Sequence, residues 1–269
     1  MMKKLYILLL AAIEKVLQTI FRNAFVKVRP PFGYAEAKHL NDLDFPLYRI
    51  MLAEMFIKTG EGIEIGALHN PQLVPENVRV RYVDRMGLDD LYRHYPEFRK
   101  LPVVNPDYVD DGESLASIPD ASQDFVIANS IMEHFQNPLK ALVNMMRVLK
   151  PGGILFAGIP DKRYIFDKQR PVTPYAHILE EYRTGKPEIY KHYLDWTTHL
   201  FDLKSEEEIR KKAEELMAAD YSIHYHCWTQ NEILEMIIGL SRDLHINFHI
   251  KMLASIRDVE TVAILEKRS

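Results

Sequence analysis

Polar and glycine residues stand directly after four apolar runs of the sequence, where their types could hold a ligand. These residues are Glu64, Gly66, Asp84, Asp111, Gly112 and Asn129. A glycine after an acid lets the backbone come close to a ligand. A carboxylate about 20 residues further on can accept hydrogen bonds from both hydroxyl groups of a ribose. The pattern therefore indicates a site for a cofactor that contains adenosine.

Four other side chains could accept a proton in a reaction at such a site: His134, Asp161, His177 and His226. Histidine and carboxylate groups are common general bases, because their pKa values allow proton transfer near neutral pH. Each has a simpler alternative, in which the side chain forms a hydrogen bond that only supports the fold. The sequence ranks none of the four above the others.

A metal site is the other chemistry that the histidines suggest. His224 and His226 are two residues apart, which places both imidazoles on the same face of a predicted strand. His192 and Asp195 lie elsewhere in the same polar stretch, but the sequence does not place a third ligand beside the pair. Two histidines alone make a weak site, so we expect no metal ion.

The elements that must position these residues alternate between short apolar runs and helical patterns. Strands are predicted at 62–66, 78–84, 103–110, 124–129 and 153–159. One helix begins at Asn137 and Pro138, which fit an N-cap and a first helical residue. This order predicts an α/β fold with a doubly wound, mostly parallel sheet.

The stretch from 161 to 228 is too long for a plain connection and is predicted to be an inserted substrate lid. Its cations Lys162, Arg163 and Arg170 suit an acceptor that carries phosphate or carboxylate, and solvated surface charge is the alternative. Ser205 and Glu208 form a capping box that starts a helix within it. The core is then predicted to run from 31 to 160 and to resume at 229–269.

Residues 1–30 are predicted to form an N-terminal amphipathic helix, without the cleavage site of a secretory signal. Its apolar part is far shorter than the roughly 20 residues that span a bilayer. Two alternatives stay open for this helix. It packs on the core or on a second subunit, or it attaches the protein to a membrane surface.

Composition limits the partners and the compartment. The 269 residues are 47% hydrophobic and carry a formal net charge of −4, so neither disorder nor a nucleic-acid partner is expected. The one cysteine, Cys227, rules out an internal disulfide framework. We therefore expect a cytoplasmic protein, at the inner face of the membrane if the first helix attaches there.

The stretch from Gly62 to Pro160 resembles the class I S-adenosylmethionine-dependent methyltransferases of the small-molecule methyltransferase domain type. Three runs carry the resemblance, namely 124–129 (DFVIAN), Glu133–His134 and 147–153 (RVLKPGG). It implies a Rossmann-like methyltransferase fold with a seven-stranded sheet, in which 247–253 and 260–266 form an antiparallel edge hairpin. It also implies S-adenosyl-L-methionine as the cofactor. It also implies contacts from Glu64, Gly66 and Ala67 near the methionine part, Asp84 on the ribose, Asp111 and Gly112 beside the adenine, and main chain near Asn129 at the methionine end.

The sequence departs from the family pattern at Leu68 and Asn70, where two further glycines are preferred. The run 66–71 (GALHNP) and the run 160–163 (PDKR) resemble a subgroup often found beside glycosyltransferases. This likeness implies a small-molecule or glycan acceptor, methylated on a hydroxyl of a sugar or glycan intermediate, and a place in polysaccharide biosynthesis. The altered loop motivates an alternative, a non-catalytic scaffold or partner subunit. A nicotinamide oxidoreductase is disfavoured, because no third glycine completes a diphosphate loop.

Overall fold

The computed structural model describes residues 47–256 and 259–269 of the chain. The predicted helix over residues 1–30 and the predicted start of the core at residue 31 lie outside this part. Two compact units divide the described residues. The smaller contains 47–59 and 73–78, and the larger contains 60–72 and the residues from 79 onward. All the candidate site residues lie in the larger unit.

Seven strands form one sheet in the described chain. They are β1 (Gly60–Ile65), β2 (Val78–Asp84), β3 (Tyr108–Val109), β4 (Gln123–Asn129), β5 (Leu149–Pro160), β6 (Phe248–Ile256) and β7 (Glu260–Lys267). Their order across the sheet is β3-β2-β1-β4-β5-β7-β6. The β1–β4, β2–β3 and β4–β5 pairs are parallel, whereas β7 runs antiparallel to both β5 and β6. The predicted doubly wound sheet with an antiparallel hairpin at its edge is confirmed.

The helices are α1 (Leu47–Phe56), α2 (Leu88–His94), α3 (Pro138–Val148), α4 (Tyr175–Thr184), α5 (Ile189–Leu200), α6 (Glu206–Ala218) and α7 (Gln230–Arg242). The Asn137 side chain caps α3 by accepting a hydrogen bond from the Lys140 amide at 2.9 Å. The predicted capping box of Ser205 and Glu208 starts α6. Within the described ranges, every helix is too short or too polar to cross a membrane.

One predicted strand differs from the structure. β3 covers only Tyr108 and Val109 instead of 103–110. Pro106 stands in the middle of the predicted run, and a proline lacks the amide hydrogen that a strand needs for pairing. The short strand still brings the loop after it to the edge of the sheet, because the Asp110 amide donates to the Asp84 carbonyl at 2.9 Å.

The predicted lid has a small hydrophobic core of its own, and its two ends contact each other. Its buried apolar side chains come from α5, α6 and the segment before residue 226, namely Tyr193, Trp196, Ala213, Leu216, Ile223 and Tyr225. The two ends of the stretch meet in an isolated parallel bridge between Asp161 and Trp228. The lid therefore leaves the sheet after β5 and returns to it beside the same strand end.

Candidate active site

The turn after β1 requires glycine at position 66. Gly66 has φ +66°, and its amide donates to the Val83 carbonyl at 2.9 Å, which ties the end of β1 to β2. A Cβ on this residue would lie 2.8 Å from Cδ1 of Ile131, in the loop after β4. The glycine thus lets the ends of three neighbouring strands come together at the carboxyl edge of the sheet.

A chain of hydrogen bonds holds the loop that follows this turn. Both carboxylate oxygens of buried Glu64 accept the Gln72 amide hydrogen, at 2.9 and 3.0 Å. The Gln72 side-chain oxygen in turn accepts a hydrogen bond from Nδ2 of Asn129 at 3.1 Å. Glu64 therefore fixes the loop between residues 66 and 72 and connects it to the end of β4, a positioning role that the sequence pattern did not reveal.

The departure from the family pattern at Leu68 does not open the loop. Leu68 adopts the left-handed conformation, with φ +49°, at a position where glycine is preferred. A side chain in this region costs roughly 1–2 kcal/mol. The Leu68 carbonyl accepts the Val104 amide hydrogen at 2.8 Å, and the Asn70 amide donates to the Ala67 carbonyl at 2.9 Å. The turn is therefore tight without the two further glycines.

Asp84 ends β2 with a carboxylate that has few donors. Its Oδ1 receives a long hydrogen bond, 3.4 Å, from the Met86 amide. Burial raises the pKa of Asp84 to about 6, although main-chain donors at Met86 and Arg85 act in the opposite direction. A half-buried carboxylate in this state gains from any further donor. Two ribose hydroxyl groups would supply such donors.

The loop after β3 places Asp111 and Gly112 next to the ends of β1 and β4. A Cβ on Gly112 would lie 2.9 Å from both Ile65 and Phe135 side-chain atoms, so only glycine fits. Asp111 accepts the Glu113 amide hydrogen at 2.9 Å, and its side chain is 57% exposed. The loop is ordered by its own hydrogen bonds and leaves the Asp111 carboxylate accessible.

These residues fit S-adenosyl-L-methionine by their chemistry. The Asp84 carboxylate receives only main-chain donors, and Oδ1 of Asn129 is buried without a hydrogen-bond partner among the described residues. Both are acceptors, and the cofactor carries hydroxyl and ammonium donors. Gly66 leaves its backbone free of a side chain at the end of β1. The structure therefore brings together the strand ends to which the sequence assigned the cofactor.

His134 follows β4 in a short helical turn, Met132–His134, and has lost most of its basicity. Its Nδ1 lies 3.0 Å from the Ile223 carbonyl oxygen, so in the neutral ring this nitrogen carries the hydrogen. Burial, with help from the neighbouring His224, lowers the pKa of His134 to about 3. The ring is thus a weak base that braces the lid against the turn after β4.

Asp161 is also engaged in the structure. Its side chain is fully buried, and Arg163 holds it through Nε at 2.9 Å and Nη2 at 2.6 Å. Burial raises the pKa of this carboxylate, but the hydrogen bonds from Arg163 outweigh that effect and hold the pKa below its usual value. Such a group binds a proton poorly. Asp161 is the first residue of the lid and has a structural role there.

Two of the three lid cations that were predicted to bind an acceptor are not available to it. Arg170 is 1% exposed and bonds to Asp167 and Asp195, both at 2.8 Å, and to the His224 carbonyl. Nζ of buried Lys162 donates to the Lys168 carbonyl at 3.0 Å. Their expected role in binding phosphate or carboxylate is wrong for these two residues, because both side chains are buried and bond to partners inside the lid. Arg163 alone is half-exposed.

His224 and His226 do not share a strand face as predicted. They lie in an irregular segment before α7, and their side chains join two different clusters. Nδ1 of His224 donates to Oδ2 of Asp167 at 2.6 Å, and His224 forms the first cluster with Glu133 and His134. The Glu133 carboxyl is buried, and that burial raises its pKa to about 7.

The second cluster combines His226 with His177, Glu181 and His192. His177 and Glu181 are four residues apart on α4, which places them on one face of the helix. His226 is fully buried, whereas the His177 side chain is 33% exposed. The His226 amide donates to the Glu133 carbonyl at 3.4 Å, so this cluster lies directly beside the turn after β4. Glu181 escaped the sequence analysis, although its spacing from His177 was visible once a helix was assumed.

Comparison with known proteins gives one family match. Residues 95–157 match the family model described as a methyltransferase domain. This segment reaches from the short helix before β3 into β5 and contains the three runs of the resemblance from residue 124 to 153. The match covers 63 of the 269 residues. The observed sheet order is that of the Rossmann-like methyltransferase fold.

Individual proteins are similar over shorter stretches or at low identity. The thiol S-methyltransferase TMT1B of Rattus norvegicus is 42% identical over 45 residues, which is 17% of this chain and 18% of that protein. The PH0226 protein of Pyrococcus horikoshii OT3 is 15% identical with a TM-score of 0.45, covering 88% of this chain and 100% of that one. A SAM-dependent methyltransferase of Aquifex aeolicus is 14% identical with a TM-score of 0.43, at the same coverage.

Proposed function

We propose that this protein transfers the methyl group of S-adenosyl-L-methionine to a hydroxyl group of a sugar or glycan intermediate. The donor half is supported by the family match and by the glycines and unsatisfied acceptors at the ends of β1, β2 and β4. The acceptor half is supported by the exposed aromatic side chains Tyr164 and Phe166, 48% and 55% exposed, just after the end of β5.

The aromatic pair lies where an acceptor would be expected. β5 runs parallel to β4, so the two strands end at the same edge of the sheet. Aromatic rings offer flat apolar surface with little conformational entropy to lose, which suits the apolar face of a sugar ring. Because Arg170 and Lys162 are satisfied internally, the site favours an uncharged part of the acceptor over a phosphate.

Bound cofactor supplies an electrophilic methyl group on a sulfonium, which is a good leaving group. The chain must then hold the two reactants in line and exclude water. Asp84 would fix the ribose by accepting hydrogen bonds, and Gly66 would let the backbone of the turn approach the methionine part. The lid would cover the reacting atoms.

A hydroxyl acceptor must also lose its proton. His134 and Asp161 are poor choices for this step, because the pKa of each lies below its usual value. His177 and His226 share one cluster with Glu181, and His177 is partly exposed. Burial also lowers the pKa of His226. His177 is therefore the candidate that an acceptor can reach.

Formation of S-adenosylhomocysteine from a panel of methyl glycosides, nucleotide sugars and small thiols tests the proposal. Turnover with a sugar is expected, and Tyr164→Ala should raise KM for that sugar while the Kd for S-adenosyl-L-methionine stays unchanged. Tyr221→Ala, which removes another exposed aromatic ring of the lid, is the matched control. Turnover confined to thiols would refute the hydroxyl acceptor. Binding of the cofactor without any turnover would favour the non-catalytic alternative.

A further inference from the structure

Three imidazole rings in the lid face one buried carboxylate. Oε1 of Glu181 lies 3.4 Å from Nε2 of His177 and 2.9 Å from Nε2 of His192. Oε2 of the same residue lies 3.9 Å from Nε2 of His226. One ligand atom from each of the four residues lies within 4.8 Å of the others. Two helices and an irregular segment, remote from one another in the sequence, supply these groups.

We propose that this cluster binds a divalent first-row transition-metal ion, with Zn²⁺ as the preferred ion. Imidazole nitrogen and carboxylate oxygen are its common ligands, and four of them complete a tetrahedral site. Ligand bonds of about 2.0–2.1 Å in a tetrahedron place donor atoms about 3.3 Å apart. The observed separations of 2.9, 3.4 and 3.9 Å around Glu181 bracket that value.

The charge balance of the cluster supports a cation. Glu181 and His192 are 3% and 7% exposed, and His226 is fully buried. Among the described residues, the ion-pair partners of Glu181 within 4.0 Å are all histidines, and its Oε2 has no hydrogen-bond partner. A buried carboxylate oxygen without a donor is costly. A divalent ion would bind that oxygen and offset its charge.

The position of the cluster lets an ion reach it and gives the ion a structural role. His177 is the partly exposed member, so an ion can enter the site from that side. Nε2 of His226 lies 3.3 Å from the Gln136 carbonyl oxygen, just after the turn that follows β4, and would exchange that contact for the ion. A bound ion would therefore tie α4, α5 and the segment before α7 together beside this turn. The inference rests on the cluster alone and does not depend on the proposed acceptor.

Calorimetric titration of chelator-treated full-length protein with zinc chloride tests this inference, with cobalt chloride as a spectroscopic probe. The expected result is one ion per chain, and visible absorption bands of tetrahedral Co²⁺. Glu181→Gln and His192→Asn should each weaken Zn²⁺ binding at least tenfold. His249→Gln, which removes an exposed histidine on β6, should leave it unchanged.

Thermal melting separates loss of the site from loss of the fold. Zn²⁺ should raise the Tm of the wild-type protein and of His249→Gln, and should not raise that of the two cluster variants. Failure of the wild-type protein to bind Zn²⁺ or Co²⁺ would overturn the inference, whatever the variants do. So would equal loss of binding in His249→Gln, which would indicate a surface site.

Discussion

Asp84 and Glu133 are carboxyl groups whose surroundings favour the protonated form. Burial raises the pKa of Asp84 to about 6 and that of Glu133 to about 7. Neither group has a strong cationic partner: Asp84 receives a long main-chain bond, and Oε2 of Glu133 has no hydrogen-bond partner in the described part of the chain. The ionisation of Asp84 should therefore make cofactor affinity depend on pH, and that of Glu133 should make folding stability depend on pH.

Cofactor affinity should depend on the ionisation of Asp84. The ionised carboxylate can accept both ribose hydroxyls, so the Kd for S-adenosyl-L-methionine should rise as the pH falls through about 6. Asp84→Asn should weaken binding by roughly 1.5–3 kcal/mol at pH 8 and remove the pH dependence. Titration calorimetry at pH 5.5, 7 and 8 measures both effects. Asp89→Asn, at an exposed position of α2, is the control. Unchanged affinity in Asp84→Asn would contradict the ribose assignment.

Folding stability should depend on Glu133. Its folded-state pKa is about 7 and lies above the ordinary value of 4.5, so the folded state binds more protons between these values. Stability should therefore fall as the pH rises from about 4.5 through about 7. Glu133→Gln should flatten this slope and be more stable than the wild type at pH 8.

Thermal melts from pH 5 to pH 8 measure that slope. The exposed Glu97→Gln, in the short helix Pro96–Lys100, should keep the wild-type slope. A slope in Glu133→Gln as steep as that of the wild type would show that another group controls the transition.

At the scale of elements, Arg170 joins three parts of the lid. It bonds to Asp167 in its own short helix, to Asp195 on α5 and to the carbonyl of His224 in the segment before α7. Arg170→Met would leave Asp167, which is 1% exposed, without its cation. The expected cost is about 3–5 kcal/mol of unfolding free energy.

Urea unfolding measures this cost against a surface ion pair. Arg210→Met breaks the pair with Glu206 on α6, where both side chains are exposed, and should cost less than about 1 kcal/mol. Similar losses of unfolding free energy in the two variants would show that Arg170 does not stabilise the lid as described.

The elements could be predicted where local pattern decides them. The strand ending at Asp84, the cap at Asn137 and the capping box at Ser205 follow from spacing alone. The third strand was predicted too long, because the apolar run outweighed Pro106. The pairing of His224 with His226 failed because it assumed a strand, whereas tertiary contacts to Asp167 and to Glu181 decide where each ring lies.

The candidate site was predictable only in part, for a related reason. Residues at strand ends meet in any parallel sheet, so Gly66, Asp84 and Asn129 could be placed together from their order. The cluster around Glu181 depends on how α4, α5 and the segment before α7 pack in the lid. Local sequence does not encode that packing, and only the four-residue spacing of His177 and Glu181 was visible.

At the scale of the whole molecule, the larger unit combines the carboxyl edge of the sheet, where the cofactor should bind, with a lid that starts and ends beside β5. The bridge between Asp161 and Trp228 joins the two ends of the lid. The lid contributes the exposed rings of Tyr164 and Phe166 and the cluster around Glu181, so acceptor choice should reside there and donor binding in the sheet. Lid variants such as Tyr164→Ala should then change turnover without changing the Kd for the cofactor.

Calorimetric titration of the purified protein with S-adenosyl-L-methionine, S-adenosylhomocysteine and NAD in parallel tests the central claim most directly. The account predicts binding of the first two in the micromolar range, weakened in Asp84→Asn, and no binding of NAD. Absence of binding by all three ligands, from a protein that melts cooperatively, would contradict it and leave the non-catalytic scaffold as the better description.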